Sequence, residues 1–163
     1  NRKNSPFYLE NGKLLYDQGK FNDLDDNQKE IAINIIETIK HEKIKITIQK
    51  GKSSKVLDER NSKPLTLYDV GGFATIGMKG NENVTIWSDG SNYGRKEKPP
   101  ILGISNDPIS SPNWLSLYHE LGGHAYLRYI LQDPKQAAHT IEYENLIRSL
   151  KGMPLRAYDD EHQ

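Results

Sequence analysis

The sequence predicts an α+β fold, in which a small sheet packs against a long N-terminal helix and a central helix, followed by a third helix. Short apolar segments of strand type lie between residues 44 and 87. Helical periodicity occupies residues 25–42 and returns after residue 113. Strands grouped before a pair of helices are typical of α+β proteins, because α/β folds alternate the two elements. The sheet is expected to be mixed or antiparallel.

The bulk composition indicates one domain with a small core and long polar loops. A chain of 163 residues with 35% apolar residues and a mean hydropathy of −0.77 fits residues 1–163 as a single domain. Lys plus Arg equals Asp plus Glu at 22 each, so no basic field attracts nucleic acid, and no long apolar run marks a membrane span. The absence of cysteine excludes disulfides and thiolate ligands.

The first fifty residues predict a hairpin, a helix and a strand. Residues 7–9 and 13–16 flank Asn11-Gly12, the strongest short hairpin signal, with a loose polar leader as the alternative. Residues 25–42 show helical spacing of apolar side chains after an acidic start. Residues 44–48 then alternate apolar and polar, as in a strand with one buried face.

The middle of the chain predicts short strands separated by polar loops. Residues 51–63 are rich in Ser and Lys and are expected to form a loop. Strands are expected at residues 65–68, 70–76 and 84–87, where β-branched and aromatic residues cluster between turn residues. Residues 88–105 combine Gly, Asn and Pro and are expected to form a long loop.

The last third predicts two helices. Residues 110–113 offer a Ser cap and a Pro in the first turn for a central helix, which runs from Trp114 to about Leu131. A third helix is expected to start at Asp133-Pro134 and to end before Gly152 and Pro154.

The central helix carries a candidate metal site, formed by His119, Glu120 and His124. Between Trp114 and Leu131 only Glu120 and Arg128 carry a full charge, so the cluster stands in an apolar segment. Zinc binds imidazole nitrogen and carboxylate oxygen, and a glutamate beside the first histidine can act as a general base toward a metal-activated water. The sequence therefore predicts a zinc site with His119 and His124 as ligands and Glu120 as the catalytic base.

The spacing of the two histidines is irregular for an α-helix. His119 and His124 are five positions apart, which leaves their side chains about 140° apart around a regular α-helix. The pair can chelate one ion only if the helix carries an extra residue, as in a π-bulge. Gly122 and Gly123 lie in the gap and lower the cost of such a distortion. We therefore expect a π-bulge at the motif.

The segment from Leu117 to Tyr126 resembles the zinc-binding helix of zincin metallopeptidases. Its His-Glu-x-x-x-His spacing is similar to that of the dipeptidyl peptidase III family. Together with residues 141–145, 152–156 and 10–20, it is similar to the metallopeptidase toxin domains of Rhs-type polymorphic toxins and to type III effector metallopeptidases. The resemblance covers about the last third of the chain and a short N-terminal stretch.

The resemblance implies a zincin-like fold and further site residues. The gluzincin pattern takes its third ligand from the next helix, which favours Glu144 over Glu142, although both could be solvated carboxylates and Glu144 could form a surface pair with Arg148. His139 is a weaker ligand candidate. In zincins an extended substrate binds along a sheet edge, for which residues 84–87 are expected to serve.

Two residues near the end of the chain are candidates for stabilising the developing oxyanion. Tyr158 and His162 follow the last helix and could fold back to the metal, as the electrophile that a peptidase needs. A frayed C-terminus is the alternative. Tyr158 is retained as the second catalytic candidate.

The motif and the resemblance together predict a zinc-dependent endopeptidase. The resemblance implies a toxin or effector that is secreted or delivered into another cell, acts on a protein or peptide and is inhibited by an immunity protein. Nucleic-acid and membrane partners are not expected. The chain opens without a signal peptide or an initiating Met, which fits a domain excised from a longer chain. Two alternatives stay open, a catalytically impaired metal-binding interaction module and a zinc amidase for a non-protein substrate.

Overall fold

The computed structural model describes residues 5–50, 55–58, 63–66, 73–77, 82–88 and 100–159. These residues form a small mixed α+β fold, which confirms the predicted class. The second half is helical, and the first half combines short strands with one long helix. Within the described ranges, no helix has the length and apolar character needed to cross a membrane.

The N-terminal hairpin forms as predicted. Strands β1 (Phe7–Glu10) and β2 (Lys13–Tyr16) pair antiparallel around Asn11 and Gly12. Both turn residues have positive φ, 50° and 75°, which suits Asn and Gly in a two-residue turn. A short helix that the sequence did not reveal, α1 (Gln18–Asn22), follows directly.

The long N-terminal helix is α2 (Asp26–Lys40), close to the predicted boundaries. Asp25 caps it by accepting from the backbone N–H of Gln28, whose side chain in turn accepts from the N–H of Asp25. This reciprocal capping box satisfies two backbone donors at the start of the helix. The apolar face is buried, as the periodicity predicted, and includes Ile31, Ala32, Ile35 and Ile36.

Two short strands lie in the polar middle of the chain, after β3 (Lys45–Lys50). Strands β4 (Lys55–Asp58) and β5 (Lys63–Thr66) pair antiparallel. The loop prediction for residues 51–63 is therefore wrong at β4. The strand expected at residues 65–68 is confirmed at residues 65 and 66, and its last two residues lie outside the described ranges.

Within the described residues, the main sheet has three strands and is mixed. Strand β6 (Phe73–Gly77) pairs antiparallel with β7 (Asn83–Ser88), which pairs in parallel with β3 on its other side. The central position of β7 contradicts the prediction that residues 84–87 form a sheet edge, because both of its sides already pair with neighbours. Val84 and Ile86 on β7 are fully buried.

The predicted central helix forms in two parts. Helix α3 (Asn113–Tyr118) begins after Pro112 without a side-chain cap, and it continues as a π-helix (His119–Ile130). The predicted Ser cap is wrong, since the hydroxyl of Ser111 instead lies 2.9 Å from that of Ser116. The third helix is α4 (Gln136–Leu150), and Gly152 follows it with φ +61°.

The π-helix lies at the centre of the described fold. Its residues Leu121 and Ala125 share one buried cluster with Ile35 of α2 and with Val84 and Ile86 of β7. A second cluster joins α2, α3 and α4, and it contains Ile31, Leu115, Tyr143 and Ile147. The candidate metal motif therefore lies on a helix that is packed against both the sheet and the other two long helices.

Candidate metal site

The π-helix brings His119 and His124 together. Hydrogen bonds in a π-helix join residues five positions apart, so such residues share one face. The two imidazole rings lie with their centroids 4.9 Å apart and their planes at 80°. The predicted helical distortion is confirmed, and it extends over 12 residues rather than a single bulge.

Gly122 and Gly123 allow α4 to approach the π-helix closely. A Cβ atom on Gly122 would lie 2.2 Å from the hydroxyl oxygen of Tyr143, and one on Gly123 would lie 2.6 Å from Cγ2 of Thr140. The Tyr143 hydroxyl lies against Gly122 and donates to the carbonyl of Ile31 at 2.9 Å. Both glycines are therefore required by interhelical packing, in addition to any role in helix distortion.

Replacement of Gly123 by Ala is expected to lower the free energy of unfolding by up to about 2 kcal/mol, because overpacking a core usually costs about 1–3 kcal/mol. The added methyl group would overlap Cγ2 of Thr140, and this cost exceeds the gain of about 1 kcal/mol in helix propensity. Chemical denaturation of the wild type and the variant measures the change.

Thr140→Ser provides the matched second substitution. It removes Cγ2 and keeps the hydroxyl that donates to the Gln136 carbonyl at 2.7 Å. In a double-mutant cycle, Gly123→Ala should therefore cost less in the Thr140→Ser background than in the wild type. Strictly additive effects would contradict the proposed contact between Gly123 and Thr140.

His119, Glu120 and His124 form a group that could hold a metal ion. Each offers one ligand atom, and these atoms all lie within 4.8 Å of one another. His119 and Glu120 are buried and His124 is partly buried. Two imidazoles and a carboxylate are ligands that zinc accepts, and imidazole also suits copper, iron and nickel. The donor set therefore fits a transition metal, and the metal's identity is not fixed by the donors alone.

Strand β6 borders this group and contacts Glu120. The hydroxyl of Thr75 donates to Oε2 of Glu120 at 2.5 Å. Two residues further along, the backbone N–H of Gly77 donates to the hydroxyl of Tyr129 on the π-helix at 2.8 Å. The strand is thus attached to the π-helix at two points, and Thr75 orients the carboxylate of the motif. No pattern in the sequence indicates this role for Thr75.

Glu144 lies behind His119 rather than in the group of three. Its Oε2 atom is 2.7 Å from Nδ1 of His119 and accepts from Nη1 of Arg156 at 3.0 Å, while Oε1 accepts from Nε of Arg148 at 2.6 Å. The group that could hold a metal ion contains Glu120, and Glu144 lies outside it. Both oxygens of Glu144 already accept hydrogen bonds from arginine side chains, and its role as the third ligand stays a prediction.

The surroundings of Glu144 favour its ionised form. Burial alone would raise its pKa, but the hydrogen bond and charge of His119, together with the guanidinium groups of Arg156 and Arg148, hold the pKa well below its ordinary value. The alternative of a surface pair between Glu144 and Arg148 is wrong, since both side chains are fully buried. Burial of this charged cluster is not visible in the i, i+4 spacing.

The remaining candidates lie elsewhere. Glu142 is exposed, and its Oε1 accepts from the hydroxyl of Tyr158 at 3.2 Å. Tyr158 is half exposed, and its hydroxyl is hydrogen-bonded to this surface carboxylate. Its catalytic role stays a prediction. His139 pairs with Asp133, which lowers the pKa of Asp133 mainly through their hydrogen bond. His162 lies outside the described residues.

Gln136 is a site residue that the sequence analysis missed. Its side-chain oxygen lies 3.0 Å from Nδ1 of His124. The residue lies at the start of α4, twelve positions after His124, where no motif marks it. Its contact depends on how α4 folds back along the π-helix, which the local pattern does not encode.

Comparison with known proteins identified no relative of this chain. No protein-family profile, curated protein or solved structure matches the chain.

Proposed function

We propose that this chain is a zinc-dependent hydrolase domain that cleaves peptide bonds. The observation that supports the proposal is the π-helix, which brings His119 and His124 onto one face with the carboxylate of Glu120 beside them. π-Helices are rare, and most are single-turn bulges, which are frequently found at functional sites. The π-helix of this protein spans twelve residues. It turns an unfavourable spacing into a pair of neighbouring imidazoles.

The residues divide into ligands and a base. His119 and His124 would hold the ion through imidazole nitrogen. A zinc ion bound there would supply a Lewis acid that activates water for attack on a carbonyl. Glu120, whose carboxylate lies beside the two imidazoles, would accept the proton released from that water. Thr75 holds Oε2 of Glu120 and so orients the carboxylate for that transfer.

Strand β6 is the element that suits an extended substrate. Among the described strands it lies at an edge of its sheet, whereas β7 is central. It also carries Thr75, which contacts Glu120. An extended peptide could add to such an edge through main-chain hydrogen bonds, which are independent of side-chain sequence. We therefore assign substrate binding to β6 in place of residues 84–87.

The biological role is proposed from the resemblance alone. The His-Glu-x-x-x-His motif and residues 141–145 and 152–156 are similar to those of the Rhs-type toxin and type III effector metallopeptidases. A zincin-like toxin or effector, delivered into another cell and inhibited by an immunity protein, fits this resemblance.

A metal-binding module without turnover is the second candidate. The structure gives it specific support, because Glu144 accepts hydrogen bonds from Arg148 and Arg156 and does not join His119, Glu120 and His124. If Glu120 completed the ligand set, it would not be available as a base. Zinc content and hydrolysis therefore have to be measured separately.

Purified protein is expected to bind about one zinc ion per chain, and His119→Ala is expected to lose it, because His119 supplies one of the two imidazole ligands of the proposed site. Elemental analysis after dialysis measures the ratio. His139→Ala is the matched control, since His139 is a more exposed histidine on α4 that pairs with Asp133. Full zinc retention in His119→Ala would contradict the proposed site.

Hydrolysis is tested with the zinc-loaded wild type on a peptide library, with mass spectrometry of the products. New peptide termini that depend on zinc support the endopeptidase. Zinc binding without cleavage of any peptide supports the metal-binding module. Cleavage of a cell-wall amide with no cleavage of peptides would instead support an amidase.

A further inference from the structure

Helix α4 contacts both metal-site histidines at the same ring atom. Glu144 approaches Nδ1 of His119 at 2.7 Å, and Gln136 approaches Nδ1 of His124 at 3.0 Å. The two acceptors are eight positions apart, close to two helical turns, and so lie on one face of α4. We propose that Gln136 and Glu144 are positioning residues that keep hydrogen on Nδ1 of each histidine, so that Nε2 of each ring binds the metal. This inference rests on the proposed metal site.

The chemistry of the acceptors shows which tautomer each contact favours. A carboxylate has no hydrogen to donate, so the 2.7 Å approach of Glu144 favours hydrogen on Nδ1 of His119, although the ring is not aligned for a regular hydrogen bond. The side-chain oxygen of Gln136 likewise can only accept, so its contact favours the tautomer of His124 with hydrogen on Nδ1. A neutral imidazole with hydrogen on Nδ1 carries its lone pair on Nε2, the atom that can then bind a metal.

The two contacts differ in strength. Glu144 is fully buried and carries a charge that Arg148 and Arg156 balance. Gln136 is neutral and partly exposed at the start of α4. A carboxylate partner raises the basicity of a ligating imidazole more than a neutral amide does. The contact of His124 with Gln136 is therefore the one that can be strengthened by substitution.

The first test reads the tautomers directly in metal-free protein. Nitrogen-15 NMR of the histidine side chains, at about pH 8 and thus above the usual imidazole pKa of about 6.5, distinguishes hydrogen on Nδ1 from hydrogen on Nε2. Both His119 and His124 are expected to carry hydrogen on Nδ1. Gln136→Leu is expected to shift His124 alone toward the other tautomer. Hydrogen on Nε2 of both rings in the wild type would overturn the inference.

The second test measures zinc affinity by competition with a chromophoric chelator. Gln136→Leu is expected to weaken zinc binding by about 10-fold or more, since loss of such outer contacts typically costs about 10–100-fold. Gln136→Glu is expected to tighten zinc binding, because a carboxylate partner raises the basicity of the ligating imidazole. The opposite effects of Leu and Glu at one position would not follow from a purely structural role. Equal affinities for wild type, Gln136→Leu and Gln136→Glu would overturn the inference for His124.

Glu144→Gln extends the test to His119, with Glu142→Gln as the matched control on the exposed face of α4. The expected result is a loss of about 10–100-fold in zinc affinity for the first variant and none for the second. Glu144→Gln also leaves the buried Arg148 without a carboxylate, while Arg156 keeps that of Asp159, so the Gln136 variants decide if it fails to fold. Absence of zinc binding in the wild type would contradict the proposed metal site. The histidine tautomers, which are read in metal-free protein, would still test whether Gln136 and Glu144 keep hydrogen on Nδ1.

Discussion

Replacement of Glu120 by glutamine is expected to remove most peptide hydrolysis and to leave the zinc content unchanged. Glutamine has the shape of glutamate, and its side-chain oxygen can still accept from the Thr75 hydroxyl, which lies 2.5 Å from Oε2 in the wild type. Glutamine cannot accept the proton of an attacking water. General-base catalysis typically contributes about 10²–10⁴-fold, which is the expected loss in rate. Initial rates on a peptide identified from the library measure it, alongside elemental analysis.

Glu142→Gln is the control for this experiment. Glu142 is exposed on α4 and contacts only Tyr158 among the hydrogen-bond partners described above. It is expected to keep both the zinc and the rate of the wild type. Full activity of Glu120→Gln would contradict the assigned base. Loss of zinc from Glu120→Gln would show that the carboxylate is a metal ligand and would favour the metal-binding module.

Replacement of Arg148 by methionine is expected to lower the free energy of unfolding by about 3–5 kcal/mol, the usual cost of removing one partner of a buried ion pair. The guanidinium group is fully buried. It donates to Oε1 of Glu144 at 2.6 Å, to the carbonyl of Ser110 at 3.2 Å and to the carbonyl of Pro154 at 3.1 Å. Methionine fills the space but leaves these acceptors without their donor.

Chemical denaturation measures the change in Arg148→Met, with Lys151→Met as the control. Lys151 is exposed just after α4, so its loss is expected to change stability by no more than about 0.5 kcal/mol. A loss of about 3–5 kcal/mol is a large part of the roughly 5–15 kcal/mol that stabilises a typical protein. Equal stabilities of the two variants would contradict a structural role for the buried guanidinium.

The sequence predicted those elements whose signals are local. Asn11-Gly12 marked the hairpin, because few residue pairs adopt positive φ at low cost. The acidic start at Asp25 marked the first turn of α2, where backbone donors need a cap. The five-residue spacing of His119 and His124 predicted the π-distortion, because no regular α-helix would bring both rings to one ion.

Features that depend on contacts between distant elements were not predictable in the same way. Alternating residues identify β7 as a strand but do not show that it pairs on both sides. An i, i+4 spacing of Glu144 and Arg148 is the same for an exposed pair and for a buried one. The contacts of Thr75 and Gln136 join separate elements, and no local periodicity records them.

The π-helix also bears on how metal sites of this kind can be found in other sequences. One residue inserted into an α-helical His-Glu-x-x-His motif would normally rotate the second histidine away by about 100°. Here a change of hydrogen-bonding pattern absorbs the extra residue, and the glycine pair lets the neighbouring helix keep its close approach. A search restricted to the four-residue spacing would pass over this chain. Allowing one more residue, when it brings a glycine pair between the histidines, would recover such sites.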